Sequence, residues 1–184
     1  MVGVFPGTGI GGACVYEGRI LRGRRSSCME IWHIKVQADG ELCGCGKYGC
    51  LETVASRLSV SAQVAAAAYR GYAPSIHKKA GTDLSKIRSG ALAASVAAGE
   101  KTVEAILRKS ARWVGFAVSN VVNLLAPDVV VLGGGLVEEM PELYLEEVRS
   151  VVMETALDTL VADLRFAVAE LGDNAVIMGA AALA

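Results

Sequence analysis

Residues 41–52 read ELCGCGKYGCLE, with three cysteines and three glycines inside twelve positions. Gly44, Gly46 and Gly49 let the backbone fold tightly. Cys43, Cys45 and Cys50 then follow a C-x-C-x4-C spacing, with His33 upstream. Three thiolates and one imidazole are a common tetrahedral donor set for structural zinc. Closing residues 33–50 around one ion constrains the chain path more than any other stretch. The plain alternative is three unligated cysteines, which would leave thiols open to oxidation. A zinc ribbon gripping nucleic acid is a rival function, but it wants surrounding Lys and Arg, and this loop offers Lys47 beside Glu41.

The remaining cysteines do not suggest a disulfide framework. The total of five in 184 residues is odd, and they cluster, whereas secreted domains favour even, distributed sets. The opening MVGVFPGTG has no basic stretch before its apolar residues, so it does not read as a signal peptide. No apolar run reaches the length of a membrane span. A cytoplasmic location is expected. The formal charge of −1 gives no electrostatic case for nucleic acid or membrane surface. With 53% hydrophobic but only 5% aromatic residues, the core is expected to consist of Val, Leu, Ile and Ala, in a chain long enough for one good-sized domain.

Along the chain, VGVF predicts a short strand, GTGIGG a glycine turn, and ACVYEGRILRG a strand pair turning at Glu17-Gly18. HIKVQ predicts a short strand entering the cysteine loop. LETVASRLSVSAQVAAAAYRG has helical spacing. Residues 71–90 are polar and broken by Pro74, so they predict a loop. Val103, Ile106, Leu107, Val114, Ala117 and Val121 predict a helix ending at Pro127. DVVVLGGG predicts a strand buried on both faces. Pro141 marks the start of another helix, LRFAVAEL another strand, and the C-terminal residues a small-residue helix. The first part therefore reads as an antiparallel meander and the last part as alternating helix and strand.

Gly7, Gly9 and Gly12 match G-x-G-x-x-G, yet a strand follows where a dinucleotide site needs a helix. That excludes the dinucleotide reading. A glycine hairpin can still converge its N–H groups on a phosphate, with the Thr8 hydroxyl added. It can equally be a turn that needs glycine for its backbone.

GTGIGG, EIWH, CGCGKYGCLE and VVVLGGG occur in this order over essentially the whole chain. In this the sequence resembles the C-terminal lobe of the ROK family of bacterial repressors, open reading frames and sugar kinases. The resemblance implies an α/β fold of the actin/hexokinase, or ribonuclease H-like, type, with a mixed sheet, packed helices and a zinc loop. It implies one C-terminal lobe over residues 1–184: a zinc and sugar loop at 28–52, a helical segment at 53–126 and a β/α closing part at 127–184. It assigns zinc to His33, Cys43, Cys45 and Cys50, and sugar contacts to Gly9, Glu30, His33 and Glu52. Thr8, Gly133, Gly134 and Gly135 would line nucleotide phosphates.

The activity implied is ATP-dependent phosphorylation of a hexose or N-acetylhexosamine, with ATP and Mg²⁺ as substrates of the full kinase. The alternative is the sugar-sensing lobe of a ROK transcriptional repressor. A third possibility is a zinc-stabilised protein that merely assembles. The family's first lobe carries D-x-G-G-T and an N-D catalytic pair, and neither occurs here. The catalytic base is therefore expected on that lobe, with this chain alone silent. The expected partners are sugar, ATP, an N-terminal lobe and a second copy, with no membrane and no nucleic acid. The sequence also departs from the family pattern. Trp32 stands where the family usually has glycine, RRSSCM replaces a glycine-rich approach to Glu30, and Pro6 replaces an aliphatic residue. Glu30 could otherwise be a solvated strand acid, and Glu52 a first-turn acid favoured by the helix dipole.

Overall fold

Val2–Pro6 (β1) and Ile10–Tyr16 (β2) alternate enough apolar residues to form an antiparallel pair, joined at Gly7–Gly9 with Pro6 opposite Ile10. In the computed structural model, which describes residues 1–183, β2 turns at Glu17-Gly18 into the short strand Arg19–Ile20 (β3). Glu17 and Gly18 take φ of 48° and 74°, the two positive values that a two-residue hairpin turn requires. Val129–Leu132 (β4) runs parallel to β1, and Arg165–Val168 (β5) parallel to β4. The sheet is therefore mixed, in the order β3-β2-β1-β4-β5.

One face of this sheet is dry. Val2 and Val4 pair with Val130 and Leu132, and all four are fully buried. The other face is only half covered: Val129 and Val131 are half-buried, and Phe5 lies over Gly3 and Gly133. The expectation that β4 is buried on both faces is thus corrected to burial of alternate residues. The pleat sends every second side chain of β4 to the less protected side of the sheet.

The helical part begins with the single turn Glu52–Ala55 (α1) and continues as Arg57–Tyr69 (α2). The two are separated at Ser56, which has extended dihedrals and whose hydroxyl accepts the Ser59 N–H as an N-cap. Pro74–Ala80 (α3) forms a helix inside the stretch expected to be a loop. Pro74 does not break it because proline at the first helical position loses no hydrogen bond, and Ile76 and Ala73 are buried against the core. Ser89–Ala97 (α4) and Lys101–Leu125 (α5) follow, parted at Gly99. Glu100 ties this corner, accepting from the Ser75 N–H at the start of α3 and from the Ser95 hydroxyl on α4.

Of the spacing read from the sequence, helix α5 buries Val103, Leu107, Val114, Ala117 and Val121 along one stripe and leaves Ile106 half-buried. Gly135–Glu139 (α6) and Pro141–Thr155 (α7) come next, and α7 lies along α5. The crossing is close because Gly115 has no side chain; a Cβ there would meet Val151 Cβ at 2.7 Å. Asp158–Val161 (α8) and Ala175–Leu183 (α9) complete the chain. Among the described residues, no helix is long and apolar enough to cross a membrane.

Candidate metal and sugar site

The expected strand at HIKVQ is instead a 3-10 turn, Ile31–His33, followed by one antiparallel bridge, Lys35 to Cys50. Trading strand for turn points His33 back toward the cysteine loop. That loop is a miniature hairpin. Leu42 bridges Tyr48, the Cys43 N–H donates to Lys47 O at 2.8 Å, and the Gly46 N–H donates to Cys43 O at 2.9 Å. Gly49 must be glycine: its φ is 74°, and a Cβ would fall 1.7 Å from Gln37 O.

These constraints bring together the four residues expected to bind metal. One donor atom from each of His33, Cys43, Cys45 and Cys50 lies within 4.8 Å of all the others. Cys43 Sγ is 3.7 Å from His33 Nδ1, and Cys45 Sγ is 3.7 Å from Cys50 Sγ. A tetrahedral site with metal–sulfur bonds of about 2.3 Å has edges of about 3.8 Å, which these two separations match. Cys43 and Cys50 are buried, whereas Cys45 is exposed.

The electrostatics show what the cluster needs. Burial pushes the Cys43 thiol up to about 11, and the neighbouring sulfurs of Cys45 and Cys50 add to the rise. Cys45 is held below its ordinary value, first by a backbone hydrogen bond from Lys47. The buried Cys43 thiol thus resists ionising beside its neighbours unless a cation balances the charge.

Glu52, at the start of α1, reaches this cluster: its Oε1 accepts from Cys43 Sγ at 3.6 Å. Its other oxygen faces the glycine hairpin, where a Cβ on Gly9 would stand 3.0 Å from Glu52 Oε2. Gly9, Glu52, Cys43 and His33 therefore form one continuous line. With Nδ1 directed at Cys43, the His33 Nε2 is the nitrogen left for another partner. Glu30 joins this line through its backbone, its carbonyl accepting the His33 N–H at 2.9 Å. The Glu30 carboxylate is exposed and accepts from the Ser27 hydroxyl. Trp32 lies edge-on to the His33 ring, with centroids 5.6 Å apart.

The phosphate candidates sit in and beside the same hairpin turn, Thr8 next to Gly9 and Gly134 against Pro6. Thr8 Oγ1 accepts from Arg57 Nη2 at 2.7 Å, and the Arg57 N–H donates to Gly7 O at 2.8 Å. Gly133 continues β4, its N–H donating to Val4 O at 3.0 Å. Gly134 has φ of 80°, and any Cβ would meet Pro6 O at 2.9 Å. Gly135 then starts α6. The two glycine segments thus abut at Pro6, one end of each facing the same edge of the sheet.

Two residues here were not singled out from the sequence. Arg57 anchors the hairpin from α2. Lys35 donates from Nζ to Cys50 Sγ at 2.9 Å. Lys35 lies in the segment that leads from His33 into the cysteine loop, and that was the available signal. Trp113 is half-buried beside Phe116 and lines a groove next to Cys43, Glu52 and Lys109.

A mixed sheet of this order, with helices packed on one face and a His/Cys loop at the end of β1–β2, defines an α/β lobe of the actin/hexokinase type. The chain belongs to the ROK family, whose profile matches residues 1–184. It is similar to a glucokinase of Halalkalibacterium halodurans, with 33% identity over 97% of this chain and 54% of that protein. It is also similar to the N-acetylglucosamine repressor of Escherichia coli O157:H7, with 30% identity over 100% of this chain and 43% of that protein. Among solved structures, it resembles a ROK family glucokinase from Streptomyces griseus in complex with glucose and AMPPNP. The TM-score is 0.84 and the identity 29%, covering 100% of this chain and 59% of that one. The chain spans about half the length of the curated relatives it matches.

Proposed function

We propose that this chain is the sugar-reading lobe of a ROK-family regulator, recognising a hexose or N-acetylhexosamine through Gly9, Glu30, His33 and Glu52. The observation that carries it is the line from Gly9 through Glu52 and Cys43 to His33. Zinc held by His33, Cys43, Cys45 and Cys50 fits the donor set and its edges. A bound ion would fix the loop, and with His33 Nδ1 directed at the cysteines Nε2 would remain for a sugar hydroxyl. Glu52 presents a carboxylate oxygen that can accept from sugar hydroxyls. Gly9 matters by lacking a side chain, because any Cβ would crowd that oxygen. Trp32, edge-on to His33, supplies an apolar flank for a sugar face.

Sensing is favoured over phosphoryl transfer because a repressor matches the chain over its whole length with an identity close to that of the kinase.

A second reading, the nucleotide-binding half of an ATP:hexose kinase, draws support from the abutting glycine segments. Thr8 and Gly133–Gly135 would then meet the phosphates of Mg²⁺-bound ATP, with the base on a further lobe. The exposed apolar residues Val176, Ile177 and Met178 of α9 suit docking of such a lobe or of a second copy.

The test is a titration of the isotopically labelled chain with glucose, N-acetylglucosamine and xylose, following backbone amides. At least one sugar is expected to shift Gly9 and Glu52 saturably, and Glu52→Gln to weaken that response at least about tenfold. Saturable shifts that leave Gly9 and Glu52 unmoved would place the sugar elsewhere.

A further inference from the structure

We infer that Lys35 is the charge-compensating partner of the metal site, its ammonium offsetting the negative charge of a three-thiolate, one-histidine zinc complex through the Cys50 sulfur. The inference rests on the zinc reading above. Three thiolates, a neutral imidazole and a divalent ion leave one net negative charge. The Glu52 carboxylate, 3.6 Å from Cys43 Sγ, adds another close by. Cys50 is fully buried, so water cannot solvate its sulfur, and an uncompensated buried charge is costly.

The backbone delivers the counter-charge. The Val36 N–H donates to Gly49 O at 3.0 Å, and the Leu51 N–H donates to Ile34 O at 2.9 Å. These two bonds flank the Lys35–Cys50 bridge, making it a non-hydrogen-bonded antiparallel pair, the kind whose side chains stand closest. Lys35 therefore projects on the same side as Cys50, and its Nζ reaches the sulfur at 2.9 Å. A salt bridge between two exposed side chains would contribute little. This contact differs because one partner is wholly buried. It also differs from a metal ligand, since the ammonium holds the sulfur without competing for the ion.

The test compares zinc affinity of the purified chain with that of Lys35→Gln, Lys35→Arg and Lys35→Glu, by competition with a chromophoric zinc chelator read by absorbance. Lys35→Gln is expected to weaken binding about tenfold, the lower end of outer-shell effects on metal sites. Lys35→Glu should weaken it further, and Lys35→Arg should stay within about threefold of the parent because the charge is kept. Affinities within about twofold for all three variants would overturn the inference. So would equal loss in Lys35→Arg and Lys35→Gln, which would mark a packing role. A parent chain that binds no zinc would overturn the metal reading together with it. Tight binding by the parent with an unaffected Lys35→Gln would overturn the Lys35 role alone.

Discussion

At the residue scale, buried polar groups tie the site to the core. The Ser110 hydroxyl donates to Ala55 O, at the end of the turn that carries Glu52, and it meets the Tyr144 hydroxyl at 3.3 Å. A carbonyl can only accept, so Ser110 donates to Ala55 and Tyr144 must donate to Ser110. Tyr144 is fully buried, and burial pushes its phenol above the ordinary range. Ser110→Ala is therefore expected to strand the Tyr144 hydroxyl and cost about 1–3 kcal/mol in urea unfolding. Tyr144→Phe removes the donor while leaving the Ser110 bond intact, and should cost less than Ser110→Ala. Glu100 gives a second prediction. Burial raises its carboxyl, but hydrogen bonds from Ser95 and Ser75 outweigh burial and hold it below the usual value of 4.5. A folded value below the unfolded one adds stability above about pH 4.5 that is lost as pH falls through the folded value. Glu100→Gln should therefore lower stability at neutral pH and flatten its decline in acid. An unchanged acid limb would remove Glu100 as a contributor.

At the element scale, the pairing of α5 with α7 depends on one missing methyl group. A Cβ at Gly115 would lie 2.7 Å from Val151 Cβ and 3.3 Å from Val148 Cα, in the middle of two packed helices. Alanine favours an exposed helix over glycine by about 1 kcal/mol, but overpacking a core costs about 1–3 kcal/mol. Gly115→Ala is expected to lower the urea midpoint. Gly90, on α4, meets only the flexible Glu139 carboxylate at 3.4 Å, so Gly90→Ala should be neutral or mildly stabilising. Equal responses at the two positions would show that helix propensity, not the crossing, decides. The elements most legible in the sequence were those whose pattern is their packing. The stripe of α5 is a direct imprint of burial, the β-branched run of β4 marked the strand though not its one-sided burial, and the turn at Glu17-Gly18 came from its own chemistry. The HIKVQ strand and the Pro74 loop were misread for a common reason. Local composition favoured strand and loop, while the demand that His33 face the cysteines and that Ile76 enter the core decided otherwise.

At the scale of the whole molecule, the four metal-ligand candidates were visible as residue types and spacing, and the fold closes them to within 4.8 Å. As sugar contacts, Gly9, Glu52 and His33 were named only through the family resemblance; their meeting depends on the hairpin, α1 and the 3-10 turn, which are remote in sequence. Lys35 escaped notice because its role is created by the bridge to Cys50. The central claim is that a metal ion holds the loop that reads the sugar. The direct measurement is the sugar-induced shift at the Gly9 and Glu52 amides, recorded on the zinc-loaded chain and again after chelation. The account predicts saturable shifts with zinc that vanish on chelation, while amides of β1 and β4 keep their positions. Sugar shifts at Gly9 and Glu52 that persist unchanged in the metal-free chain would contradict it.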